Sequence, residues 1–255
     1  MPMRVTVDTF RDMKKAGEKI AMLTAYDYPT AALVDAAGVH GILVGDSLGM
    51  IMLGYESTIP VTMQDMIHHT KAVARAAKNA LVVADMPFMS YQVSQEEALR
   101  NAGRLIQEAG ASAVKLEGGR VMAPVVRRLV EVGIPVMGHI GLTPQWINEL
   151  GSYKVQGKTP EEAERLFQDA LALQEAGAFS IVLECIPAPV AKRITEAVDV
   201  PTIGIGSGRD CDGQIQVITD LLGLTEKPPK HARQYASLAS EIKKALERFV
   251  QDVQT

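Results

Sequence analysis

Residues 108–117, EAGASAVKLE, recur with few changes at 175–184, EAGAFSIVLE. In both stretches Glu-Ala-Gly closes a helical pattern, and a short apolar run then leads to a glutamate, Glu117 or Glu184. A helix that stops at glycine and passes directly into a nearly continuous apolar run is the αβ half of a parallel-sheet unit, whose strands are covered on both faces. Looser copies follow the same plan: GIPVMGH (133–139) pairs with DVPTIGIG (199–206), and Ala37-Gly38 precedes GILVGD (41–46).

Working outward, eight such runs punctuate the chain: 19–26, 41–47, 80–88, 113–119, 135–142, 180–186, 201–208 and, more weakly, QIQVITD at 214–220. Helical patterns separate several of them. One spans 61–78. Another runs to Glu108 from Ser94-Gln-Glu-Glu97, which has the form of a capping box. A third starts at Thr159-Pro160 and ends at Gly177, with further candidates at 187–198 and 235–253. Alternating strand and helix requires parallel pairing through crossovers. Eight units predict a closed (β/α)8 barrel, with an open doubly wound sheet as the structural alternative. The length of 255 residues suits one barrel of about 250, and no linker or composition shift divides residues 1–255 into two domains.

Composition narrows the function classes. With 5% aromatics, the core must be built from Ala, Val, Ile, Leu and Met. A net charge of −4 with no basic run gives no electrostatic footprint for nucleic acid or a membrane surface. No apolar run is long enough to span a bilayer, the first ten residues lack a signal-peptide core, and two cysteines make no disulfide framework. The expectation is a cytoplasmic protein with reduced thiols.

In such a barrel the chemistry lies at the C-terminal ends of the strands. There the sequence places Asp46-Ser47, Asp85, Lys115 with Glu117, His139, and Glu184. Clustered carboxylates raise one another's pKa unless a cation intervenes, and an oxygen-rich set favours a hard ion such as Mg²⁺. Each residue also has a plainer role: Asp46 can cap a turn, Lys115 and Glu117 can be a structural ion pair, and His139 can be a satisfied core histidine. Adjacent His68 and His69 do not share a helix face and read as structural, as do Cys185 and Cys211. Gly204-Ile-Gly-Ser-Gly208 can cradle a phosphate or merely permit a close turn.

The stretches LTAYDYP (23–29), VGDSLGM (44–50), ADMPFMSY (84–91), KLEGG (115–119), GHIGLTPQ (138–145), YKVQGK (153–158), LECIP (183–187), IGIGSG (203–208) and DGQ (212–214) run in order over most of the chain. With them it resembles the ketopantoate hydroxymethyltransferase family. The resemblance implies a (β/α)8 barrel that transfers a one-carbon unit from 5,10-methylenetetrahydrofolate to 3-methyl-2-oxobutanoate, forming 2-dehydropantoate for pantothenate biosynthesis. It implies one Mg²⁺ per subunit on Asp46 and Asp85 with Glu117 beside it, ketoacid binding by Asp46, Ser47, Asp85 and Lys115, and Glu184 as proton acceptor. His139 falls on a pocket position of the motif, and the family assembles as homo-oligomers, often decamers. Gly151-Ser152, Ser207 and the segment 229–235 depart from the family pattern without touching the acidic set.

The expected chemistry is a Mg²⁺-stabilised enolate made by Glu184, whose pKa burial in an apolar strand end would raise. Two rivals remain at this point: a Mg²⁺-dependent lyase or mutase of the phosphoenolpyruvate mutase–isocitrate lyase type, and a non-catalytic barrel. The first lacks its KKCGH-like cysteine loop here, and the second predicts erosion of the acidic rim, which is intact.

Overall fold

In the computed structural model, which describes residues 4–255, eight short strands pair in parallel and in chain order into a closed barrel. They are β1 (Ile20–Thr24), β2 (Gly41–Val44), β3 (Leu81–Asp85), β4 (Ala113–Glu117), β5 (Val136–Gly141), β6 (Ser180–Glu184), β7 (Thr202–Ile205) and β8 (Gly213–Gln216). The first seven fall inside the apolar runs marked by the sequence, β8 begins one residue before the eighth run, and the open-sheet alternative is excluded. The weak eighth run divides: β8 stops at Gln216, and Ile218–Leu222 is a short helix with Asp220 in its first turn.

The five expected helices are present as Met63–Ala76, Gln95–Gln107, Pro160–Glu175, Ala188–Ala197 and Leu238–Gln254. Thr159 and Glu162 form the full capping box before Pro160. At Ser94 only half forms: its hydroxyl accepts the Glu97 N–H at 3.1 Å, and the reciprocal bond from Glu97 is not made. The sequence reading did not single out the helices Val7–Ala16, Tyr28–Ala36 and Ala123–Glu131.

Packing divides the chain into two compact units, the first ending at Ile215 and the second comprising Gln216–Thr255. In the first, strand alternation sends every second residue inward. The lower interior is apolar: Ile20, Met22, Leu43, Leu81, Val83, Ala113, Met137, Val182, Ile203 and Ile215 form one cluster. Helix Val7–Ala16 plugs its base, with Phe10 and Met13 joining that cluster. The Phe10 ring meets Phe179 edge-on at 5.9 Å. Lys14 anchors the plug, since its ammonium donates to Asp212 Oδ2 at 2.9 Å and to the carbonyls of Thr195 and Val200. On the flank, the buried Asp35 carboxylate accepts the N–H groups of Lys78, Asn79 and Ala80 and fixes the entry of β3.

The second unit is a helical tail. Its helix Leu238–Gln254 exposes Ile242, Leu246, Phe249, Val250 and Val253, a stripe at helical spacing. No described helix is long and apolar enough to cross a membrane.

Phe10 is fully buried at the floor, far along the chain from the strand-end residues. Phe10→Ala should destabilise the protein by about 3–5 kcal/mol in denaturant unfolding, the usual cost of emptying a large aromatic site.

Candidate active site

The same alternation that fills the floor with apolar side chains carries charge at the top. On β4 the inward residues are Ala113, then Lys115, then Glu117; on β3 they are Leu81, Val83 and Asp85; on β5, Met137 and His139. Register then sets neighbours side by side, Asp85 with Lys115 and Glu117 with His139. The structure therefore gathers Asp46, Asp85, Lys115, Glu117, His139 and Glu184 at one rim, as the strand-end argument required.

Lys115 Nζ lies 2.6 Å from Asp85 Oδ1 and 3.3 Å from His139 Nδ1. Burial alone would push its ammonium toward the neutral form. The carboxylates of Asp85, Glu117 and Asp46 outweigh that and hold its pKa above the ordinary lysine value. Asp85 Oδ2 accepts the Asp46 N–H at 3.1 Å, which binds the end of β2 to the end of β3. Gly45 permits the approach: a Cβ there would meet Ser47 Oγ at 2.8 Å and Asp85 Oδ2 at 3.4 Å. Ser47 Oγ lies 2.8 Å from the buried Tyr26 hydroxyl, and His69 Nδ1 holds the Tyr26 carbonyl at 2.6 Å, a structural use of that histidine.

His139 stands between two carboxylates. Nδ1 is 3.5 Å from Glu117 Oε1, and Nε2 is 3.2 Å from Glu184 Oε2, close enough for attraction but off hydrogen-bond alignment. Burial and Lys115 depress its pKa, yet Glu117 and Glu184 prevail and raise it to about 9. The two glutamates of the repeated motif differ in setting. Glu117 is 1% exposed, whereas the Glu184 side chain is 19% exposed and open to the rim. Beyond Glu184, Cys185 adopts a left-handed φ of 47°. Gly141 on β5 packs so closely that a Cβ would lie 2.2 Å from the Glu184 carbonyl oxygen. The Cys185 thiol, raised to about 11 by burial and by Glu184, is no nucleophile at neutral pH.

Gln145, Tyr91 and Tyr26 also belong to this site, and the sequence reading assigned them no role. They stand within or at the end of the quoted stretches GHIGLTPQ, ADMPFMSY and LTAYDYP, so the signal was present as unassigned polar residues in those stretches. The glycine-rich loop after β7 has a structural use: Ser207 donates to the Leu183 carbonyl at 2.7 Å and accepts the Ile186 N–H at 3.3 Å. That favours the close-turn reading.

A divalent cation fits the donor set. Burial, then Asp85 and Glu117, hold the Asp46 carboxyl well above the usual carboxylate range, and a cation would relieve that. Asp85 Oδ1 is buried without an aligned hydrogen bond. Among the described residues no three His, Cys, Asp or Glu side chains converge as a metal cage. Two carboxylates with the remaining positions left to small oxygen ligands is a common arrangement for Mg²⁺. A groove of about 570 Å³ runs past Gly119, Arg120, Thr143, Trp146 and Arg165, and none of the six clustered residues lines it.

The family model described as ketopantoate hydroxymethyltransferase matches residues 4–255. A 3-methyl-2-oxobutanoate hydroxymethyltransferase from Syntrophus aciditrophicus is 59% identical over 251 residues, covering 98% of this chain and 92% of the relative. The protein of that name from Moorella thermoacetica is also 59% identical over 251 residues, covering 98% and 93%. Among solved structures, phosphonopyruvate hydrolase with oxalate and Mg²⁺ superposes with a TM-score of 0.65 at 13% identity, covering 96% of this chain and 87% of that one. The 2,3-dimethylmalate lyase, a member of the PEP mutase/isocitrate lyase superfamily, gives 0.65 at 14%, covering 98% and 89%. At such identities these two share the fold.

His139 supplies a pH test. Its pKa rises from the ordinary histidine value of 6.5 to about 9 in the fold. The stability it contributes is complete below pH 6.5 and is lost as pH rises through 9, a change on the order of 3 kcal/mol. In metal-free protein, thermal unfolding of His139→Asn should lack this decline between pH 6.5 and 9. A variant with the parent's slope removes His139 as its source.

Proposed function

Because the chain belongs to the ketopantoate hydroxymethyltransferase family, we propose that it moves a one-carbon unit from 5,10-methylenetetrahydrofolate to 3-methyl-2-oxobutanoate. The product is 2-dehydropantoate, for pantothenate biosynthesis. The chain is a hydroxymethyltransferase, which sets the lyase and scaffold rivals aside. The observation that carries the finer reading is the single rim where Asp46, Asp85, Lys115, Glu117, His139 and Glu184 meet.

Asp46 and Asp85 would hold one Mg²⁺, with Glu117 at its edge. When bound, that ion supplies Lewis-acid polarisation of the ketone. The ketoacid lies against Asp46, Ser47, Asp85 and Lys115. The Lys115 ammonium has three N–H donors, and its contact to Asp85 leaves others for the substrate carboxylate. Glu184 is the base that takes the C3 proton. Its partial exposure gives substrate access, and His139 attracts Oε2 and so orients the carboxylate. The C3 electron pair forms the new bond to the folate's methylene carbon, whose two bonds to nitrogen break; water provides the hydroxyl, and its other proton and the one taken from C3 go to the two nitrogens, leaving tetrahydrofolate.

The direct test supplies 3-methyl-2-oxobutanoate, methylenetetrahydrofolate and Mg²⁺ and follows 2-dehydropantoate by mass spectrometry; no product refutes the reading. Deuterium exchange at C3 without folate tests the base. Glu184→Gln should slow exchange by about 100-fold or more, within the usual range of general-base contributions, and parent-like exchange sinks the assignment.

The expected homo-oligomer is supported by the apolar stripe on helix Leu238–Gln254. Leu246→Glu should lower the mass measured by light scattering. An unchanged assembly would show that this stripe is not the contact.

A further inference from the structure

Gln145 lies in the single 3₁₀ turn Pro144–Trp146 that follows β5, and it is 2% exposed. Its side-chain amide and backbone reach the ends of three strands. Nε2 donates to Asp46 Oδ2 at 2.8 Å and to the Met86 carbonyl at 2.9 Å. Its backbone N–H donates to Glu117 Oε2 at 3.0 Å. Oε1 accepts from the Tyr91 hydroxyl at 2.7 Å.

The partners dictate which way the amide faces. Asp46 Oδ2 and the Met86 carbonyl only accept, so a flipped amide would set oxygen against oxygen at both. Tyr91 reinforces this. Its hydroxyl accepts the Glu117 N–H at 3.2 Å, and its one proton goes to the nearer acceptor, Gln145 Oε1, rather than to the Glu117 carbonyl at 3.2 Å. Gln145 thus places a neutral donor on a carboxylate that Asp85 and Glu117 already crowd. It occupies Oδ2 of Asp46 and adds no charge. A lysine at the same point would neutralise Asp46 and compete with any cation.

We propose that Gln145 is a positioning residue: held in one amide orientation by Asp46, the Met86 carbonyl and Tyr91, it aims Asp46 Oδ1 and steadies Glu117 for a divalent cation. This role rests on the reading of Asp46 and Asp85 as metal ligands. It deepens that reading by tying metal affinity to two residues that touch neither metal nor substrate.

The test is a Mg²⁺ titration of the full chain, followed by calorimetry, on the parent, Gln145→Met and Tyr91→Phe. Metal-free melting temperatures check folding. Gln145→Met should weaken Mg²⁺ binding by about 10–100-fold, the usual effect of losing a partner behind a metal ligand. Tyr91→Phe, which removes the hydroxyl donor to Oε1 but leaves both acceptors on Nε2, should weaken it less. Saturating Mg²⁺ should restore turnover in both, which a purely structural lesion would not allow. Parent-like affinity in both variants overturns the proposal, as does a loss of turnover that saturating Mg²⁺ leaves in place. If Gln145→Met fails to fold, Tyr91→Phe decides alone. A parent that binds no Mg²⁺ removes the metal reading itself, and this role with it.

Discussion

Lys115 sits inside a closed barrel, directly above an apolar floor, where water cannot solvate its ammonium. A charge in that position survives only if it is paired, and the rim is organised around this requirement. Asp85 contacts the ammonium at 2.6 Å and is held in place by the Asp46 N–H. His139 contacts it from the other side and is flanked in turn by Glu117 and Glu184. The lysine is thus the centre around which four strand ends, those of β2, β3, β4 and β6, set the positions of four acids. With His139 protonated and all four acids ionised, the acids exceed the cations by two charges, the deficit one divalent ion would fill.

Much of this was legible in the sequence because strand alternation is a hard geometric rule. Once AVKLE is read as a buried parallel strand, Lys115 and Glu117 must share a face, and register aligns them with Asp85 and His139. The repeated EAG–strand–Glu motif marked two equivalent glutamates, and there the legible part ends. Glu117 is enclosed and Glu184 reaches the rim because Gln145 and Tyr91 cover one of them. Those residues come from loops distant in sequence, and no periodicity marks them. The plug helix escaped for a similar reason: a polar-looking segment that buries only Phe10 and Met13 carries little hydrophobic signal.

The cluster also shows where the fold spends stability. Asp46 and Asp85 lie beside each other and beside Glu117, and burial first, then repulsion from Asp85 and Glu117, pushes Asp46 toward its neutral form. Such an arrangement is unfavourable for a bare protein and favourable for one that binds a cation. Close backbone approaches at Gly45 and Gly141, and the left-handed Cys185, supply the tolerance that lets these side chains crowd one rim.

The plug at the barrel floor has a consequence for synthesis. Helix Val7–Ala16 leaves the ribosome before any strand of the barrel, yet its partners are among the last parts of the barrel unit to be made. Phe10 packs on Phe179, and Lys14 needs Thr195, Val200 and Asp212. Contacts of that sequence separation close slowly. The helix can meet Ile20, Met22 and Leu43 early, but its contacts to Phe179 and Asp212 must wait until nearly the whole barrel has emerged. Domains of this kind are vulnerable to misassociation during that interval. The clasp that finishes the barrel is also the reason a nascent chain gains its full stability only after its last strands have been made.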